Sequence, residues 1–413
     1  MSEGIPEGWA LSTLSEIAHV KGGKRLPKGR PFAPSRTAFP YIRVSDCKKG
    51  TVSLDDLRYV YEEDWAQIRR YTISKNDLYI SIAGTLGIVG TVPDRLDGSL
   101  LTENAAKIVL KNKEAVNKRF LKYYLLSEEP HKHFLQSKGT GGGVPKLALF
   151  RIEDTPILLP SSLEQREIAS ILTSVDAVIE KTEAQISKLQ DLKKGMMQEL
   201  LTKGIGHTEF KDSPVGRIPK DWILVNFFDV ISIPNGQVDP KDAPYRDMIL
   251  IAPNHVEGET GRLLGKETAL QQNAISGKYF CKPNTVILSK IRPRLRKAVL
   301  VDFECLCSAD MYPLNCTDKV VAAFLKHLIL DTKFSYFAAT VSERSNIPKI
   351  NRTELAEYRF ALPPVDEQEV IADALMALDE RIDSGHLKLN AVRSVKKSLM
   401  QDLLTGKVRV KVN

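Results

Sequence analysis

Apolar residues fall on a seven-residue beat in two long stretches of this chain. In the first, Ile168, Val175, Leu189 and Met196 occupy one seam position, and Leu172, Ile179, Ile186 and Leu200 the other. In the second, Ile371, Leu378, Val392 and Leu399 alternate with Leu375, Ile382, Leu389 and Leu403. A seam sustained for about five heptads predicts a coiled coil rather than a surface helix. Both seams are interrupted at matching places, Thr182 with Gly385 and Lys193 with Lys396. Ser162 with Gln165 predicts a capping box at the first helix start, and Gly204 and Gly406 predict the two stops.

Elsewhere the pattern shortens. Residues 41–45 and 77–82 alternate as half-buried strands, and 248–251 and 285–289 fill the same roles in the second half. Residues 118–126, 129–136 and 320–330 read as helices. The halves echo each other: Pro160, Gln165, Ala169, Asp176, Lys194 and Leu200 return 203 positions later as Pro363, Gln368, Ala372, Asp379, Lys397 and Leu403. Ile5-Pro6-x-x-Trp9 returns as Ile218-Pro219-x-x-Trp222, displaced by 213. That spacing is too long for a solenoid and marks duplication of a whole domain.

The expected architecture is α+β: two globular mixed α/β domains joined by two long antiparallel coiled-coil helices, a pseudo-twofold tandem repeat. Its parts are globular domain 1 over 1–160, helix 161–204, globular domain 2 over 205–363, helix 364–406 and a tail over 407–413. If the seams bury each other, the second helix returns toward the first domain, forming a spacer of roughly 60 Å. The alternative is that each helix packs onto its own domain as ordinary core.

Composition adds little until it is split by segment. Apolar content of 43% and charged content of 27% are those of a water-soluble globular protein. No run is long enough to span a bilayer, and no signal-peptide pattern is expected. Five cysteines without a C-x-x-C pair predict reduced thiols and no metal. Residues 1–160 carry 24 Lys/Arg against 18 Asp/Glu and residues 205–363 carry 21 against 18, whereas 161–204 carry 6 against 7 and 364–413 carry 8 against 8. The positive excess sits in the globular parts, where a polyanion would bind.

The sharpest local signal is the run 289–297, in which Lys290, Arg292, Arg294 and Arg296 alternate with Ile291, Pro293 and Leu295. As a strand it would set four cations above an apolar underside, with Pro293 confining it to an edge. Such a row suits phosphates or guanine edges; a solvated edge kept basic against aggregation is the alternative. The first half carries a basic loop over 21–30, including Lys24 and Arg25. Gly139 to Lys146 is Gly-rich but lacks the Lys-Ser/Thr of a P-loop, and a flexible contact loop fits it better. Its counterpart over 342–349 keeps only the Pro-Lys. No constellation for nucleophilic, metal or dinucleotide chemistry is present. His131 and His133 do not share a helical face. Asp46 and Asp310 read equally as acceptors for a cytosine amino group and as turn caps.

The order globular domain, Leu159-Pro160 with Glu164-Gln165, long helix, globular domain, Leu362-Pro363 with Glu367-Gln368, long helix resembles the specificity subunit of type I restriction–modification systems. Leu200-Leu201-Thr202, Leu403-Leu404-Thr405, the two Ile-Pro-x-x-Trp openings, Ser289 to Pro293 and Cys307 to Asp310 carry the resemblance too. It covers essentially the whole chain. In the first half, Ser81 to Gly87 stand where Ser289 to Pro293 stand in the second.

The resemblance implies a non-catalytic DNA-specificity subunit whose globular parts are target recognition domains, each reading half of a bipartite asymmetric site. The helical pair would set the gap and dock modification (methyltransferase) subunits, two per chain, with restriction/translocase subunits joining. S-adenosylmethionine, ATP and Mg2+ would be used by those partners and no cofactor bound by this chain, in a prokaryotic cytoplasm with no membrane contact. Candidate contacts to double-stranded DNA in the first domain are Lys24, Arg25, Arg43, Ser45, Ser81, Thr85, Thr102, Asn104, Thr140 and Lys146. In the second they are Asn254, Lys290, Arg292, Arg294, Arg296, Ser308, Asp310, Ser345 and Lys349.

Overall fold

The two heptad stretches become helices Ser162–Lys203 and Val365–Leu404 in a computed structural model that describes residues 5–136, 146–342 and 348–411. Packing divides the chain into two units, residues 1–182 with 388–413, and residues 183–387. Each long helix therefore contributes to both.

In the first unit the central sheet is antiparallel, in the order Ala18–Gly22, Ala105–Leu110, Leu78–Ser81, Val89–Thr91. Leu78–Ser81 is buried along its whole length rather than on alternate faces. It lies between two partners and under the helix Lys118–Leu126, so its continuous apolar character serves both sides. A smaller sheet orders Arg58–Tyr59, Pro40–Ile42, Ser99–Leu101 and Thr72–Ile73, with Tyr41 and Leu100 paired in parallel. The expected strand over 41–45 stops at Ile42, because Arg43 to Asp46 turn back on themselves. The core joins Leu78, Ile80, Ile108 and Phe120 to Ile168 and Leu172 of the first long helix and to Leu403 and Leu404 of the second. The start of one helix thus meets the end of the other, which makes the pair antiparallel. Full burial of such side chains stabilises by about 1.5–3 kcal/mol each.

The second unit repeats the plan. Its sheet runs Ile231–Ser232, Met311–Cys316, Thr285–Ser289, Ala298–Val301, and a smaller sheet sets Leu250–Ile251 parallel to Cys305–Cys307 and antiparallel to Tyr279–Cys281. Trp222, Phe227, Phe324 and Leu355 fill its core together with Met197 and Leu201 from the first helix and Ile371 and Leu375 from the second. Again a helix end meets a helix start.

All the seam residues are buried or half-buried. Ile168, Leu172, Ile186, Ile371, Leu375, Leu378, Ile382, Leu389 and Leu403 are buried, and Val175, Ile179, Leu189, Met196, Leu200, Val392 and Leu399 are intermediate. The outer ends also pack as domain core, so the two sequence alternatives for these helices both hold locally. Seam interruptions are inside as well: Thr182 and Lys193 are only 3% and 6% exposed. In the second unit Gly385 lets Ile186 in so closely that a Cβ there would lie 2.9 Å from its Cγ1. Lys193 reaches Asp379 at 2.5 Å, and Lys326 reaches the same carboxylate at 2.9 Å. In the first unit Lys396 meets Asp176 at 2.6 Å, where Tyr123 also donates at 2.6 Å.

The expected capping box is not formed. The helix begins at Ser162, its cap is Ser161, and Ser161 Oγ accepts from Glu164 N–H at 3.2 Å. Gln165 is committed elsewhere. Buried to 1% exposure, it accepts from Asn117 N–H and donates to the Ala115 and Pro160 carbonyls. Gln368 does the same with Val321, Lys319 and Pro363. The helices stop as expected, with Gly204 and Gly406 at φ +65° and +72° beyond their ends.

Candidate nucleic-acid interface

Each central sheet carries one hairpin whose turn adjoins part of the sequence candidates. Leu78–Ser81 returns as Val89–Thr91, and Thr285–Ser289 returns as Ala298–Val301. The same main-chain frame holds both turns. Ile82 N–H donates to Asn104 O at 2.8 Å, as Lys290 N–H does to Asp310 O at 3.0 Å. Leu147 N–H donates to Ile82 O at 2.8 Å, as Ile350 N–H does to Lys290 O at 2.9 Å. Bridges Ala83 to Lys146 and Ile291 to Lys349 complete the match. In the first unit, therefore, Ser81, Thr85, Asn104 and Lys146 lie on adjoining segments. In the second, Lys290 to Arg296, Ser308, Asp310 and Lys349 do.

Residues 290–297 are not the strand expected from their alternation. Arg292 and Arg296 adopt left-handed φ of +49° and +46° around a 3-10 turn, Pro293–Leu295. Proline fixes its own φ and cannot donate to a ladder, so the chain turns where a strand would need a partner. The supposed apolar underside dissolves with it: Pro293 is buried, but Leu295 is 46% exposed. An L-residue in left-handed backbone costs roughly 1–2 kcal/mol, a strain the surroundings must sustain. Glycines fill the like positions of the first hairpin, Gly84 at φ +76° and Gly87 at +74°.

The side chains differ in what they are free to do. Lys290 lies over the Tyr312 ring at 5.3 Å. Arg296 pairs with Glu259 at 2.7 Å, and Arg294 is also engaged. Lys349 stands 3.7 Å from Asp310. Ser308 supports its own loop, accepting from Asp310 N–H at 3.3 Å. Asn254 is exposed in the turn Pro253–His255, whose Pro253 carbonyl accepts from Lys297 Nζ at 2.6 Å.

In the first unit, Lys24 and Arg25 follow Gly23, which approaches Thr102 O so closely that a Cβ would meet it at 2.1 Å. Lys24 N–H donates to Leu101 O, and Arg25 pairs with Glu103 at 2.8 Å. Ser81 and Thr102 are buried. The Ser81 hydroxyl closes its own turn, donating to Thr85 O and accepting from Ile88 N–H, while Thr85 is exposed. Arg43 and Asp46 engage each other: Asp46, 4% exposed, accepts from Arg43 Nη2 at 2.7 Å and from Arg43 N–H at 2.8 Å. The Ser45 hydroxyl lies 3.3 Å from the same carboxylate. Of the two readings of Asp46, the turn cap is the one drawn. Thr140 and Ser345 lie outside the described residues. Among the described residues, no group of three or more His, Cys, Asp or Glu is placed to hold a metal ion.

What sequence reasoning missed is the work of the Glu-Gln pairs. Glu164 takes a bidentate grip from Arg409 at 2.7 and 2.9 Å, and the Arg409 guanidinium lies 5.9 Å from the centre of the Trp9 ring. Glu367 accepts from Trp222 Nε1 at 3.0 Å and Ile205 N–H at 2.9 Å, with His207 Nε2 at 2.9 Å. The signature binds helix starts to their globular bodies. The Ile-Pro-x-x-Trp echo was the available clue, since Trp222 donates to Glu367 and Trp9 lies beside the arginine that grips Glu164.

The chain belongs to the type I restriction modification DNA specificity domain family, whose profile matches residues 6–191 and again 219–393. Its role is that of a specificity subunit, non-catalytic, in a type I restriction–modification system. It is 29% identical over 310 residues to the EcoDI specificity subunit of Escherichia coli, spanning 70% of this chain and 68% of that one. It is 26% identical to the MjaVIII specificity subunit of Methanocaldococcus jannaschii, over 98% and 94% of the two chains. Among solved structures, the type I S subunit from M. genitalium shares the fold with a TM-score of 0.61 at 12% identity, over 98% of this chain and 97% of that one. No helix among the described residues is long and apolar enough to cross a membrane.

Proposed function

We propose that each globular body reads one half of a split, asymmetric site in double-stranded DNA, and that the helical pair fixes the gap between the halves. The reading rests on one observation above all: two hairpin turns held in one main-chain frame carry different side chains. A common frame presents, and unlike side chains discriminate. Positive charge concentrated in the globular segments supplies salt-sensitive attraction to phosphate. Two weak readers on one chain then gain about 10²–10⁴ in apparent affinity when both engage.

The outward faces of the helices dock modification subunits, two per chain, and restriction/translocase subunits join that assembly. S-adenosylmethionine, ATP and Mg2+ serve those partners, in the cytoplasm of a prokaryotic cell. Long-read methylation mapping of a host expressing this chain with its modification subunit tests the proposal. Two short unlike half-sites separated by a fixed unspecified gap are expected. A single uninterrupted motif would overturn it.

A further inference from the structure

The two hairpins differ at one position in a way that packing within the chain does not explain. Gly84 and Arg292 hold equivalent left-handed places, each three residues past the serine that ends its strand. Space is open at Gly84, so glycine there answers backbone geometry alone. Glycine would serve equally at 292, without strain. Arg296 has a visible reason for its own strain, since it pairs with Glu259 at 2.7 Å. Arg292 has none: it is exposed, and its guanidinium makes no hydrogen bond or ion pair among the described residues. Its backbone is nonetheless pinned. The N–H donates to Pro348 O at 2.8 Å, the carbonyl accepts from Leu295 N–H at 2.9 Å, and buried Pro293 follows.

A long cation rooted this firmly, on the rim where Lys290 and Lys349 also lie, is set for bidentate recognition. We infer that Arg292 is a specificity-determining residue of the second body, its guanidinium reading the O6/N7 edge of a guanine in that half-site. The inference rests on the half-site reading proposed above. Glycine at the sister position leaves the first hairpin without such a reader, which matches unlike half-sites.

The test uses the full chain with its modification subunit and compares Arg292→Gly with Arg292→Lys by methylome mapping. Arg292→Gly is expected to relax one base pair of one half-site by roughly ten- to hundredfold, leaving the other half-site unchanged. It should also raise the unfolding temperature by about 2–4 °C through relief of strain. Arg292→Lys keeps the charge and loses the fork, so it should relax the same base pair. Weakening that is uniform across sequences and rescued by lysine would make Arg292 a phosphate contact and overturn the assignment, as would an unchanged motif. A chain with residues 219–360 exchanged for those of another specificity subunit separates the two ideas. An unchanged motif there sinks the half-site reading itself; a changed motif there with an unchanged one in Arg292→Gly sinks only the guanine assignment.

Discussion

His327 is the residue most at odds with water. It is fully buried beside Asp379, 3.8 Å away, and neither ring nitrogen has a hydrogen-bond partner among the described residues. Burial first, and then the neighbouring Lys326, pull its pKa down from 6.5 to about 3. The folded state therefore refuses a proton that the unfolded chain accepts. Stability is full above pH 6.5 and is lost as pH falls from there toward 3, by up to about 1.4 kcal/mol per pH unit. Thermal unfolding followed from pH 7 to 4 should show this loss, and His327→Phe should flatten it; an unchanged acid slope in that variant would refute the account. The first unit puts Tyr123 at this place, and its hydroxyl donates to Asp176. Neither fate was legible in the sequence, because a lone histidine in an apolar helix carries no mark of what it faces. Arg43 and Asp46 were obscured likewise: their pairing depends on a turn that a period-two pattern had extended into strand.

The helical pair was the most legible element, since a heptad survives any detail of packing. Its interruptions were visible too, but their meaning lay across the seam. Lys193 breaks the apolar pattern in order to meet Asp379, and Lys396 meets Asp176. Burial alone would push the Asp379 carboxyl up, but Lys326 and Lys193 outweigh it and hold the group below its ordinary 3.8. Removing one member of such a buried pair is costly, while replacing both with apolar groups is often neutral. Asp379→Asn should therefore destabilise by about 3–5 kcal/mol, while Asp379→Leu with both Lys193→Met and Lys326→Met should recover most of the loss, as read by urea denaturation. If the single and triple variants unfold alike, the buried charges do not fix the seam. By contrast, the alternation over 289–297 misled, because cations spaced two apart fit a turn around proline as well as they fit a strand.

At the scale of the molecule, duplication was plain from residues that recur at a constant displacement. The divergence between the bodies was plain as well, for 37–72 and 236–280 share almost no residues. Which segments adjoin within each body was hidden, since that depends on backbone bonds between residues far apart in the chain, as from Ile82 to Asn104. Division of labour between reading heads and helices predicts separable changes. One extra turn inserted at matched positions in both helices is expected to lengthen the preferred gap and leave both half-sites intact, as methylome mapping would show. An altered half-site with an unaltered gap would refute that division.

The tail has a consequence of its own. Arg409 clasps Glu164 and the carbonyl of Glu7, and Leu403 and Leu404 complete a core begun by Leu14 and Val20. On the ribosome, Leu14 and Val20 must wait for Leu403 and Leu404 before their shared interior can shut. The second unit, uninterrupted from 183 to 387, has no such delay. Of the two units, the one begun first is the one finished last.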